Sequence, residues 1–158
     1  MIKALIVYYS RTGTTRKAAE RISKLLGCDV EEIQDVTNRS GKLAFIKAGR
    51  DALRKRLTTL DKVKNDPGIY DVVIIGTPVW ANKMSTPIRT YISQYKGSFK
   101  KVAFFCTQEG TDESLFNDME SLCEKKPIAT LNLLRKQEVE SDNCPEKINN
   151  FVSKIRTE

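Results

Sequence analysis

No histidine occurs among the 158 residues. That absence excludes a Ser-His-Asp triad, a Cys-His dyad and every histidine metal site. Proton chemistry would fall to carboxylates, Lys, Tyr, Cys or a bound group. The four cysteines, Cys28, Cys106, Cys123 and Cys144, never form a CxxC, so neither a zinc ribbon nor a dithiol redox motif is expected. None begins a CxxxxxR phosphatase loop. They are sparse for a disulfide scaffold, and no secretory leader opens the chain. The reading is therefore a soluble, cytoplasmic protein with free thiols. No apolar run nears the ~18 residues of a membrane span. GxxxxGK[ST] and GxGxxG are both missing, which removes the two commonest glycine-rich nucleotide fingerprints.

What is present suits one globular domain over 1–158, because 40% of residues are apolar and 30% charged. Net charge is +7, and it is local. Residues 39–64 hold nine basic and two acidic side chains, whereas the remainder holds 18 of each. Nothing near this segment supplies a stacking platform or a groove-reading motif, so nucleic acid is not the favoured partner.

Four continuous apolar runs stand out: 4–9, 72–76, 102–106 and 128–134. Continuous rather than alternating apolarity marks strands covered on both faces. Residues 29–33 read as an edge strand. Helical periodicity appears at 14–26, 42–60, 87–95, 113–124 and 146–156. In the helix at 42–60, Leu43, Ile46, Leu53, Leu57 and Leu60 share one side. Strand–helix alternation implies a parallel sheet with helices on both faces, and ligands bind at the carboxyl ends of such strands. Three loops therefore matter.

The first, Ser10-Arg11-Thr12-Gly13-Thr14-Thr15, joins a buried strand to a helix. Hydroxyls and helix-start amides together make an anion cradle. The second begins after Gly76 and holds the single tryptophan: Thr77-Pro78-Val79-Trp80-Ala81-Asn82. An indole there can serve as a wall for a planar ligand. The third is Thr107-Gln108-Glu109-Gly110. Cys106, at that strand's end, reads as a small buried hydrophobe. Ser85 or Thr86 reads as the cap of the helix that Pro87 opens.

Ser10-x-Thr12-Gly13-x-Thr15 after a first strand resembles the FMN-phosphate loop of flavodoxins. The stretch 76–82 is similar to that family's flavin loop, with Asn82 where the pattern has Gly. Ala48-Gly49-Arg50-Asp51-Ala52-Leu53 matches a further recurring pattern of flavodoxin-like relatives. In the third loop Gln108-Glu109 replaces a small pair, bringing a carboxylate towards the flavin.

The resemblance implies a flavodoxin-like three-layer α/β/α sandwich of the short-chain type. Its five-stranded parallel sheet would have order 2-1-3-4-5, with FMN at the switch point. It assigns cofactor contacts to Ser10, Arg11, Thr12, Gly13, Thr14, Thr15, Thr77, Pro78, Val79, Trp80, Ala81, Asn82, Thr107, Gln108, Glu109 and Gly110. No catalytic side chain and no metal are implied. The leading reading is an electron carrier whose redox partner, acidic in character, docks near residues 39–64. Two alternatives stay open: an NAD(P)H-dependent flavin or quinone oxidoreductase, and a cofactor-free interaction module. A homodimer through the helix at 42–60 is also open.

Overall fold

The computed structural model describes residues 1–37 and 41–158; Arg39, counted in the basic segment, lies outside them. The parallel strands are β1 (Ala4–Tyr8), β2 (Asp29–Glu32), β3 (Val72–Trp80), β5 (Lys101–Gln108) and β6 (Thr130–Leu134), and β4 (Lys83–Met84) is a two-residue addition. The helices are α1 (Thr14–Leu26), α2 (Lys42–Leu53), α3 (Thr86–Tyr95), α4 (Leu115–Cys123) and α5 (Pro145–Arg156). The sheet order is β2-β1-β3-β5-β6. Setting aside β4, which pairs antiparallel with β3, this is the expected 2-1-3-4-5.

The continuous apolar runs are explained by two cores. Along β1, Leu5 and Val7 join one core while Ala4, Ile6 and Tyr8 join the other. Along β3, Val73 and Ile75 alternate in the same way with Val72 and Ile74. Successive strand side chains point to opposite faces, so a strand buried on both must be apolar throughout. The first core is closed by α2, α3 and α4, through Ala52, Tyr91 and Met119 among others. The second is closed by α1 and α5, through Ile22 and Phe151. Gly76 of β3 lies where a Cβ would come within 2.0 Å of the Phe105 ring. Its bare backbone is what lets that phenyl ring lie across the strand.

Besides β5, which runs on through Thr107 and Gln108 rather than ending at Cys106, two elements differ from the sequence reading. First, β3 does not stop at Gly76 but continues to Trp80, beyond the end of β1, whose Tyr8 pairs with Gly76. Pro78 therefore sits where β3 has lost its β1 neighbour, a position a strand proline tolerates. Second, α2 ends at Leu53 rather than 60. Lys55 takes a left-handed φ of 54°, and the Arg56 amide folds back to the Asp51 carbonyl at 2.9 Å. The chain then runs beside the segment after β2, with Leu60 bridging Asp35. No helix among the described residues is long and apolar enough to cross a membrane.

Candidate functional site

The carboxyl ends of β1, β3 and β5 open into one cleft of about 320 Å³. Of the residues expected to contact a cofactor, Ser10, Arg11, Thr12, Thr14, Thr15, Pro78, Val79, Trp80, Thr107, Gln108 and Glu109 line it. Gly13, Thr77, Ala81, Asn82 and Gly110 are not in the lining. Phe45 and Arg135, which the sequence reading did not single out, are.

The first wall is the turn from β1 into α1. Gly13 occupies the N-cap with φ 97°, a conformation an L side chain resists. The Ser10 hydroxyl accepts from the amides of Gly13 (3.0 Å) and Arg16 (3.3 Å), which closes the loop on itself. Early amides of α1 have no partner within the helix, as at any helix start. Thr12 and Thr14, by contrast, have side chains with no hydrogen-bond partner among the described residues, and both line the cleft. Amide and hydroxyl donors with a helix dipole behind them suit an anion. Thr15 is committed elsewhere: its hydroxyl meets that of Thr107 at 2.8 Å, both buried. This bond ties α1 to the end of β5 at the cleft.

The second wall is the tip of β3. Val79 pairs with Met84 and Trp80 with Lys83, so Ala81 and Asn82 form a two-residue hairpin turn. Trp80 is 5% exposed and meets Tyr9 edge-on, with centroids 5.6 Å apart. Thr77 is fully buried, and its hydroxyl holds Ser85 instead of facing the cleft. Ser85 occupies the cap position of α3 without a side-chain capping bond. Val79, Trp80 and Phe45 also line a second groove with Ile46, Leu53 and Ala81. Over the Phe45 ring stands the Arg11 guanidinium, 4.9 Å from its centroid.

The third wall leaves β5. Gln108 turns its amide inward, donating to the Asn132 side chain (3.0 Å) and the Asp112 carbonyl (2.8 Å). Gly110 also serves that loop, its carbonyl facing the Asn132 amide at 3.5 Å. Cys106 lies beneath, and burial pushes its thiol up to about 12. A thiol so rarely ionised is a poor nucleophile. Glu109 does not present a bare carboxylate to the cleft, because Arg135 reaches it at 2.7 Å.

The two residues the sequence reading missed differ in how visible they were. Arg135 directly follows β6, so it stands at the carboxyl edge of the sheet, and the same rule that selected the other loops could have selected it. Phe45 comes from α2, and no local signal marks it as facing the cleft.

At its base near β1 the cleft offers neutral hydroxyl and amide donors, and along β3 it offers an apolar slab. A phosphomonoester joined to a flat heterocycle matches that pairing.

The family model described as flavodoxin matches residues 3–155. A flavoprotein of Lactobacillus acidophilus NCFM, solved in complex with FMN, is 26% identical. The match covers 89% of this chain and 98% of that one, with a TM-score of 0.73. A Bacteroides eggerthii chain, described as a candidate flavoprotein, matches over 100% of both chains at 24% identity and TM-score 0.75. Megasphaera elsdenii flavodoxin, solved two-electron reduced, matches at 18% identity and TM-score 0.57, over 95% of this chain and 98% of that one.

Proposed function

This chain belongs to the flavodoxin family, and from that premise we propose that it binds FMN and carries electrons between redox proteins. The observation that carries this reading is the continuity of the hydroxyl-and-amide cradle with the Trp80 wall in one cleft. Thr12, Thr14 and the amides opening α1 would hold the phosphate. Val79 and Trp80 would flank the ring, and the loop leaving β5 would close the remaining edge. FMN supplies one- or two-electron chemistry when bound, and the protein's part is to bind it and set its electrostatic surroundings. The reading asks for no general acid or base from the chain.

The proposed partner is a protein with an acidic face, docking on α2. Lys42, Lys47, Arg50 and Arg54 of that region are exposed. Leu43, Ile46 and Leu53 lie among them at 84%, 67% and 60% exposure. Positive charge speeds encounter with an acidic partner, and exposed apolar side chains give the docked complex something to bury.

The test is the visible absorption spectrum of purified protein after incubation with FMN and desalting. A retained flavin band, with quenched flavin and Trp80 fluorescence, is expected. Colourless protein that is still folded by circular dichroism overturns the reading. Rapid bleaching of the bound flavin by NADH or NADPH alone would replace the carrier reading with an oxidoreductase.

A further inference from the structure

The cradle on α1 is built from neutral donors, yet a phosphomonoester carries a charge of about −2 at neutral pH. The cleft holds two cations that could answer it, and they are not equivalent. Arg11 already has its guanidinium over the Phe45 ring. Arg135 enters from the end of β6, lines the same cleft as Thr12 and Thr14, and is poorly satisfied where it stands.

Its Nη2 forms an ion pair with Glu109, 2.7 Å from the carboxylate. Its Nε approaches Glu140 only to 3.6 Å, and that nitrogen is buried without a hydrogen-bond acceptor. A planar fork of donors is made for two-point capture of an oxyanion, and here one prong is idle. Glu109 is a weakly held partner. Its side chain is 60% exposed in the loop leaving β5, so water can take it back at small cost.

Resting on the FMN reading, we propose that Arg135 is the counter-cation of the cofactor's phosphomonoester, held by Glu109 until the cofactor enters. The incoming dianion repels the Glu109 carboxylate and attracts the guanidinium. Arg135 then exchanges one carboxylate contact for a bidentate phosphate contact, and Glu109 turns to solvent. No bond is made or broken in this exchange of ion pairs. It predicts a site that discriminates between FMN and riboflavin by charge, beyond what neutral donors supply.

The experiment is fluorescence titration of apo-protein with FMN and with riboflavin, for wild type, Arg135→Gln, Arg135→Lys and Glu109→Gln, at low and high salt. Arg135→Gln should weaken FMN about tenfold or more, as expected for loss of a charged hydrogen-bond pair, and leave riboflavin within about twofold. Arg135→Lys should fall between, because it keeps the charge and loses the fork. Glu109→Gln should tighten FMN by a larger factor than any change it causes in riboflavin. The wild-type preference for FMN should shrink as salt rises, a readout that needs no variant to fold. Equal losses of FMN and riboflavin in Arg135→Gln, or no loss of FMN, overturn the proposal while the cofactor reading stands. Wild-type protein that binds neither ligand overturns both.

Discussion

α1 and α2 both stand beside the cleft, and both carry apolar residues at helical spacing. They use those residues in opposite ways. α1 packs Ala18, Ala19 and Ile22 against the sheet, and these are fully buried. α2 packs Ala48, Asp51 and Ala52, and turns Leu43, Ile46 and Leu53 outward. At about 100° per residue those three lie on the opposite side of the helix from Ala48 and Ala52. Asp51 is accommodated by Arg56, 3.2 Å away. Periodicity therefore marks a helix reliably, but it does not say whether the large stripe faces the chain's own core or another molecule.

A pair of truncations separates the two helices most strongly. Ile22→Ala should cost about 3 kcal/mol, as a buried large-to-small change does. Ile46→Ala should stay within about 0.5 kcal/mol, as for a surface change. Urea unfolding of both variants measures the contrast. A large cost at Ile46 that grows with protein concentration would mean a second copy covers α2 in solution, in place of the acidic partner proposed above.

A smaller effect is expected where the chain after α2 is tethered. Asp118 of α4 bonds the buried Arg89 and also Lys55 (3.3 Å), the residue at which α2 turns back. Partial burial pushes the Asp118 carboxyl up. The hydrogen bonds and charges of Arg89 and Lys55 outweigh that and hold it below the ordinary aspartate value. A carboxyl depressed in the folded state stabilises fully above its unfolded value, about 3.9. That contribution is lost as pH falls through the lower folded value. Asp118→Asn should therefore cost about 2 kcal/mol at neutral pH, mainly by stranding Arg89. It should also flatten the acid limb of a stability-against-pH curve below about pH 4. An unchanged acid limb would mean that the pair does not set the acid sensitivity.

The same contrast explains how much could be read from residues alone. The sheet was legible because strands covered twice are apolar throughout, and alternation with helices implies that they run parallel; their order came only with the family resemblance. The Ser10–Thr15 turn was legible because its chemistry is contiguous. What escaped was non-local. β3 runs past Gly76 because Cys106 and Thr107 of β5 pair with Thr77 and Pro78, and Lys83 and Met84 return to pair with its tip. α2 stops at Leu53 because Lys55 adopts a left-handed backbone. Glu109 is neutralised by an arginine 26 positions away. None of these has a short-range signature, and each depends on a partner brought up from elsewhere in the chain.

The smallest effect concerns the hairpin that carries Trp80. Ala81 and Asn82 both have positive φ, 49° and 59°, and they span a two-residue connection. Positive φ at both central residues is the signature of a type I′ turn, whose preferred residues are Asn, Asp and Gly. Asn82 conforms and Ala81 does not. An alanine held left-handed costs roughly 1–2 kcal/mol, and glycine would remove that strain. Glycine also enlarges the unfolded ensemble, which takes back about 0.4–1 kcal/mol. Ala81→Gly should therefore stabilise the protein by about 0.5 kcal/mol, read as a higher denaturant midpoint at unchanged m-value. Trp80 is the only tryptophan, so its emission reports this wall directly and should not move. A shifted emission, or a net loss of stability, would show that the turn relaxes with the new residue. Trp80 would then be held by the turn's strain rather than by Tyr9 and the strand pairing.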